Sequence, residues 1–293
     1  MFELIGIPPQ ALFGQLLLGL INGAFYAMLS LGLAVIFGML NVINFTHGAQ
    51  YMMGAFAAWL MLGILDVPFW ASLVLAPIIV GLIGVVLERL FLKRIYHLDH
   101  LYGFLLTFGM ALVIEGLFQW KWGSSGAPYP SPISGGYNLG FMFLPTYRGF
   151  VVLAALVICL ATWYGIERTK LGAYLRAATE NPTLVRAFGI NVPRLITLTY
   201  GLGVGLAALA GVLAAPIQQV SPLMGTNLVL VVFAVVVIGG MGSIMGSIVT
   251  GFGLGLIEGL TKFFYPPASN TVIFVVMALV LLIKPAGLFG QTK

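Results

Sequence analysis

Apolar runs follow one another through almost the whole chain, near 11–31, 33–64, 69–90, 101–120, 149–166, 195–217, 228–260 and 271–288. A helix of about 20 apolar residues crosses a hydrocarbon core of roughly 30 Å. Inside that core every backbone N–H and C=O must find a partner within the protein, which leaves helices as the spanning form for runs of this length. With 60% hydrophobic and 7% charged residues, a soluble domain is excluded. The pattern predicts an all-α polytopic membrane protein of about eight transmembrane helices, within a range of seven to nine. They form a single transmembrane domain over 1–293.

Two runs are too long for one crossing. Residues 33–64 and 228–260 would each reach about 48 Å at 1.5 Å per residue. Both are interrupted, the first at Asn41-Val-Ile-Asn-Phe-Thr-His-Gly48 and the second at Gly239-Gly-Met-Gly-Ser243, with Gly246 and Ser247 following. Polar or glycine-rich backbone at membrane depth is tolerated where it is buried in protein or lines a cavity. One interrupted helix in each half of the chain points to a transport path between inverted repeats. The alternative is that each run is two helices joined by a tight turn. The polar residues at and near these interruptions make Asn22, Asn41, Asn44, His47, Gln50, Gly239, Gly240 and Ser243 the candidate solute path, a permissive lining rather than a tight site. For His47 the competing reading is a histidine satisfied by a freed backbone carbonyl.

Charge sets the expected topology. Arg168, Lys170, Arg176, Arg186 and Arg194 stand against Glu167 and Glu180 in 165–194, and Arg89, Lys93 and Arg94 share another connector. Cytoplasmic loops carry such an excess of Lys and Arg. Segment 165–194 is longer than a connector needs and is punctuated by Gly172, Pro182 and Gly189. It predicts a short helical element outside the bilayer that meets a partner. Segment 120–148 is the long extracytoplasmic loop, rich in Pro, Gly and Ser, with Trp120, Trp122, Tyr137 and Tyr147 suited to the membrane interface. Eight crossings place both termini outside, leaving Lys284 and Lys293 on the wrong side; dividing one interrupted run into two helices repairs that end. The first ten residues carry no basic group, which favours a retained first helix over a cleaved leader.

The chain offers little catalytic chemistry. Cys159 is the single cysteine, so neither an intrachain disulfide nor a cysteine metal motif is available. No lysine is followed by Ser or Thr, so there is no Walker A loop; any ATP is bound by another chain. No catalytic residue, metal ligand set or cofactor is expected. His97 and His100 read as a solvated pair in a connector. Glu115 and Glu258 lie near span ends without an evident partner, and Glu88 is expected to pair with Arg89 or Lys93. Glycines four apart, at 251, 255 and 259, at 19 and 23, and at 201 and 205, are expected to let helices approach closely.

The ordered set of motifs resembles a known family. Asn22-Gly-Ala-Phe-Tyr-Ala-Met-Leu-Ser-Leu-Gly32, Asn44-Phe-Thr-His-Gly48 and Met53-Gly-Ala55 are similar to the N-terminal half of the membrane permeases of branched-chain amino-acid ABC importers. Leu171-Gly, Arg176-Ala, Glu180-Asn181 and Gly189-Ile-Asn-Val192 look like their coupling loop, and Val237-Ile-Gly-Gly-Met-Gly-Ser243, Gly246–Gly251 and Lys284-Pro-Ala-Gly-Leu-Phe-Gly290 resemble the C-terminal half. The resemblance covers nearly the whole chain. It implies a bacterial inner-membrane subunit working with a second permease, a paralogue by family precedent, two cytoplasmic ATP-binding subunits and an extracytoplasmic solute-binding protein. It places Gly172, Arg176, Glu180, Asn181, Arg186, Gly189 and Asn191 in the ATPase-coupling loop. Many members carry an acidic residue just after the His-Gly pair, where this chain has Ala49 and Gln50. That departure leaves urea or short amides open as solutes beside branched-chain or other hydrophobic amino acids. Leu184-Val-Arg186 stands where small residues are common. The rival class is a stand-alone ion-coupled carrier using Glu115 or Glu258, or a passive channel.

Overall fold

The computed structural model describes residues 9–40 and 43–290. Among them the chain forms eleven α-helices: α1 (Pro9–Leu40), α2 (Thr46–Leu65), α3 (Phe69–Leu90), α4 (His100–Trp122), α5 (Thr146–Glu167), α6 (Lys170–Glu180), α7 (Pro182–Ala187), α8 (Val192–Ala214), α9 (Thr226–Gly239), α10 (Ile244–Phe264) and α11 (Val272–Ile283). A small hairpin, β1 (Gly136–Asn138) with β2 (Phe143–Pro145), lies in the expected outer loop. Seven helices, α1 to α5, α8 and α10, are long and apolar enough to cross a membrane. The protein is an all-α, multi-pass membrane protein.

The helix boundaries follow from local chemistry. Helix α2 ends at Asp66, which adopts the left-handed conformation with φ 51°, a state that a short polar side chain tolerates better than a branched one. Pro68 then fixes the entry to α3. Side-chain caps start four helices: Asp99 accepts from the Leu101 N–H, Asn181 from Leu184, Asn191 from Arg194 and Ser243 from Gly246. Each satisfies an N–H that the first helical turn leaves free.

Packing is governed by glycine. Helix α1 lies antiparallel along α10, with Gly38 beside Gly242, Gly23 beside Gly251 and Phe252, and Gly19 beside Gly255. Helices α3 and α8 pair in the same way through Gly81 and Gly201, with the Pro77 carbonyl facing Gly205. The glycine ridges thus serve close helix approach, as expected.

The pairings also reveal the repeat. Exchanging α1 with α8, α2 with α9, α3 with α10 and α4 with α11 converts the α1–α10 pair into α8–α3, α2–α3 into α9–α10, and α2–α4 into α9–α11, all of which are packed pairs. Helix α1 runs toward the end that carries α6, because Gly38 and Gly172 line one cleft there. Helix α8 starts at that end and runs away from it, so the two halves are inverted.

The two long apolar runs break at the anticipated residues, but neither continues as one crossing. After α1 the chain turns back, so that His47, at the start of α2, lies against Leu29, about three turns inside the end of α1. At the second break Gly239 packs against Gly246, which makes 240–243 a tight turn between antiparallel helices. Helix α1 takes up the run 11–31 and the first residues of 33–64, and the turn at 240–243 is the division of one interrupted run that returns the C-terminal end to the basic side. The Leu288 and Phe289 N–H groups bond to the Ile238 and Gly239 carbonyls, which puts Lys284 at the basic end; Lys293 lies outside the described residues.

A Cβ at residue 255 would overlap the backbone of Gly19 and Gly23, whereas one at Gly253 meets nothing within 4 Å. Gly255→Leu is expected to cost about 1–3 kcal/mol or more through overpacking and to lower the thermal midpoint in detergent. Gly253→Leu should leave it unchanged. Equal midpoints would show that the α1–α10 seam is not the tight contact.

Candidate functional site

Helix α2 begins in the interior of the bundle, and a set of buried polar groups surrounds its first turn. Asn44, Thr46, His47 and Gln50 are each at most 1% exposed. The Phe45 N–H donates to the Thr107 hydroxyl at 3.2 Å, and the Thr46 hydroxyl to the Thr107 carbonyl at 2.8 Å. Asn44 Nδ2 donates to Gln50 Oε1, and Gln50 Nε2 to the Tyr200 hydroxyl, both at 3.2 Å. His47 Nε2 lies 2.9 Å from the Leu29 carbonyl. A carbonyl only accepts, so Nε2 carries a proton. The cluster joins α1, α2, α4 and α8 through directional bonds. Among the described residues, Asn44 Oδ1 and His47 Nδ1 have no hydrogen-bond partner.

The start of α9 meets the start of α2. A Cβ on Gly48 would fall 2.7 Å from the Gly225 carbonyl oxygen, and one on Gly225 would overlap the Gly48 backbone. Two helix N-termini therefore converge with backbone in contact. Tyr51, one turn along α2, donates to Gln218 in the α8–α9 connector at 3.3 Å. That connector is bonded to the outer loop through a bridge between Ala127 and Val220.

Of the candidate path residues, the structure brings Asn44, His47 and Gln50 together. Asn22 stands on α1 two turns from Leu29, and Asn41 lies outside the described residues. Gly239, Gly240 and Ser243 sit at the basic end. There Gly240 has φ 101°, packs on Gly290 and precedes the Ser243 cap of α10.

The basic segment forms an elbow. Gly172 presses on the Ile166 carbonyl, where a side chain would clash. Arg176 Nη1 reaches that carbonyl at 3.3 Å and Glu167 at 3.4 Å, so a cation sits at the α5 C-terminus, where the helix dipole favours it. Asn181 and Asn191 are caps, and Gly189 has φ 82° after α7. Glu180 and Arg186 are exposed. A cleft of about 90 Å³ separates the elbow from α1 and the α9–α10 turn, lined by Gly38, Glu167, Arg176 and Ile244 among others. On the outside of the elbow, Leu184 and Phe188 are 54% and 76% exposed. Leu184 is marked in the sequence as a departure that fits the chain's own ATPase partner; Phe188 was not singled out, though a large apolar side chain in the chain's most polar segment was a signal in plain view.

The buried carboxylates have partners that the sequence reading missed. Glu88 accepts from Tyr96 at 2.8 Å and Thr197 at 2.9 Å; Arg89 and Lys93 are exposed instead. Burial, and then the hydrogen bond to Glu88, push the Tyr96 phenol above its ordinary range. Glu258 accepts from Tyr26 at 2.6 Å and pairs with Lys262, a partner at i+4 that was legible in the sequence. Glu115 accepts from Thr226 at 2.6 Å.

The family described as "Branched-chain amino acid transport system / permease component" matches residues 15–282. The chain belongs to this family. The permease is 29% identical to the high-affinity branched-chain amino acid transport system permease protein LivH of Escherichia coli (strain K12), over 95% of its own length and 96% of the relative. It is 27% identical to the corresponding permease protein BraD of Pseudomonas aeruginosa, with the same coverage. It is 27% identical to a probable branched-chain amino acid transport permease protein LivH of Methanocaldococcus jannaschii, over 90% and 88%.

Replacing Tyr200 by Phe leaves Gln50 Nε2 buried without an acceptor. The expected cost is about 1–3 kcal/mol, seen as a lower detergent unfolding midpoint. Tyr200→Phe at the wild-type midpoint would show that this hydrogen bond does not hold the cluster.

Proposed function

We propose that this permease is a pore-forming subunit of an ABC importer in the cytoplasmic membrane. It passes branched-chain or other hydrophobic amino acids, delivered by an extracytoplasmic binding protein, to the cytoplasm. A second permease, of paralogous sequence, completes the pore, and two separate ATP-binding chains hydrolyse ATP and drive the cycle; this chain is the passive conduit. The observation that carries the reading is the family match over almost the entire chain. The excess of Lys and Arg at the α6 end assigns that end to the cytoplasm.

The elbow supports a role in coupling. Its named residues, Gly172, Arg176, Asn181 and Asn191, make it rigid from within. Leu184 and Phe188 face outward and supply the apolar anchor that a helix-in-groove contact uses. A rigid elbow docked on a moving ATPase transmits that motion to α5 and, across the cleft, to α1 and α10.

The central cluster supports a weakly selective path. Asn44, His47 and Gln50 present neutral polar groups, in keeping with selection by the external binding protein. The absence of an acid at Ala49 and Gln50 favours, as a second reading, the same importer acting on urea or short amides. Co-purification from native membranes with mass spectrometry tests the assembly, and uptake of labelled leucine against labelled urea in the reconstituted complex tests the solute. Recovery as a lone oligomer would sink the importer reading.

Asn44→Leu and His47→Leu are expected to lower uptake without loss of assembly; unchanged uptake in both would remove these residues from the path. Phe188→Ala is expected to weaken ATPase retention about ten-fold, as loss of a central apolar anchor does. Full retention measured by pull-down would place the contact elsewhere.

A further inference from the structure

The link between α3 and α4 carries cations whose charge nothing nearby balances. Residues 88–99 hold Arg89, Lys93 and Arg94 against Glu88 and Asp99, and both carboxylates are engaged inward. Glu88 accepts the Tyr96 hydroxyl at 2.8 Å and the Thr197 hydroxyl of α8 at 2.9 Å. Asp99 Oδ1 accepts the Leu101 N–H at 2.9 Å as the cap of α4. Arg89, Lys93 and Arg94 are exposed, and among the described residues none of the three is paired with a carboxylate.

The scaffold beneath these cations is fixed. Leu92 is fully buried in a cluster with Val80 of α3 and Tyr200 and Val204 of α8, and Tyr96 packs against it. The N–H groups of Arg94, Ile95 and Leu98 each bond to the carbonyl three residues earlier. The surroundings are apolar. Helix α3 reaches the link with Leu82, Val86 and Leu90 exposed, four apart and so on one face. Helix α4 leaves it with Leu101, Leu105 and Phe108 exposed. Phe91 and Leu98 are exposed within the link itself. A partner that meets both features is anionic at one end, apolar at the other, and lies in the bilayer. A soluble ATPase offers no apolar tail to the faces of α3 and α4.

We propose that the link 89–98 is a binding site for an anionic phospholipid of the cytoplasmic leaflet. Its headgroup phosphate accepts from Arg89, Lys93 and Arg94, and its acyl chains lie along the exposed faces of α3 and α4. Basic clusters immediately cytoplasmic of a transmembrane helix attract anionic headgroups in this way, and the excess of Lys and Arg puts this end on the cytoplasmic side. The site depends on neither the solute nor the importer reading.

The test uses the full-length permease in mild neutral detergent, offered phosphatidylglycerol and phosphatidylcholine of matched chains, with bound lipid read by native mass spectrometry. The wild type is expected to retain phosphatidylglycerol in preference. Lys93→Gln with Arg94→Gln should weaken that binding about thirty-fold, at about five-fold for each cation removed, and leave phosphatidylcholine binding unchanged. Lys93→Arg, which keeps the charge, should bind as the wild type does. Added phosphatidylglycerol should raise the unfolding midpoint of the wild type and not that of the double variant. Should the double variant show no unfolding transition, Arg89→Gln, expected to cost about five-fold, decides instead. Wild-type phosphatidylglycerol binding in the charge-removing variant would overturn the proposal. So would an equal loss in Arg168→Gln with Lys170→Gln, which would make the attraction that of the whole basic end. Displacement of the lipid by millimolar inorganic phosphate would make this a free-anion site. Loss of the ATPase on purification from native membranes, with lipid binding intact, would give the surface to the ATPase; either result overturns the assignment to lipid.

Discussion

Two helices begin in the middle of a membrane protein, and the rest of the core is arranged around that fact. The first turn of a helix leaves N–H groups without intrahelical partners, and hydrocarbon offers none. Near α2 the Thr107 hydroxyl accepts the Phe45 N–H, and the Thr46 hydroxyl and the Asn44–Gln50–Tyr200 chain satisfy one another and the Thr107 carbonyl around it. Near α9 the Glu115 carboxylate accepts the Thr226 hydroxyl rather than a backbone N–H. The Gly48–Gly225 contact is possible because neither start carries a side chain at the point of approach, so the two N-termini meet with their backbones touching.

That contact explains why glycine is spent where it is. Bringing the α2 and α9 starts together requires the flanking long helices to lie close as well, and α1–α10 and α3–α8 do so along glycine seams. In lipid, helix association gains little from the hydrophobic effect and depends on close packing and polar contacts. The inverted repeat follows from the same economy. One arrangement, a long helix, a return to the interior, a helix starting there and a third packed on the other half, is used twice with opposite direction.

Much of this was legible in the residues. The all-helical class, the basic elbow, the outer loop and both break positions follow from hydropathy, charge and glycine content. What hydropathy could not show is direction, because an apolar run reads the same whether the chain continues through a break or reverses at it. The reversal between α1 and α2 is fixed by His47 finding Leu29, a contact between residues whose separation in sequence carries no signal. Side-chain pairing was only partly hidden. Glu258–Lys262 stood at helical spacing, whereas Glu115–Thr226 and Glu88–Thr197 join residues more than a hundred positions apart. The residues that carry the family resemblance at the elbow, Gly172, Arg176, Asn181, Gly189 and Asn191, are largely punctuation: a close approach, a cation at a helix end, two caps and a left-handed turn. Each of these is required by the local backbone, while Leu184 and Phe188 face outward.

The elbow and the centre are mechanically continuous. The elbow sits on the α5 C-terminus and faces, across a small cleft, the end of α1 and the α9–α10 turn. The turn is in turn held by Leu288 and Phe289, whose N–H groups occupy the last carbonyls of α9. A displacement of the elbow toward that cleft therefore acts on both ends of the same pair: on α1, whose Leu29 carbonyl holds His47 and thus α2, and on the C-terminus of α9, whose N-terminus touches α2. Helix α9 is 14 residues long, about 21 Å, too short to bend appreciably and long enough to carry a push at the basic end to the centre. The short helix, a drawback for spanning a bilayer, thus joins the turn at the basic end to the contact between the two helix starts.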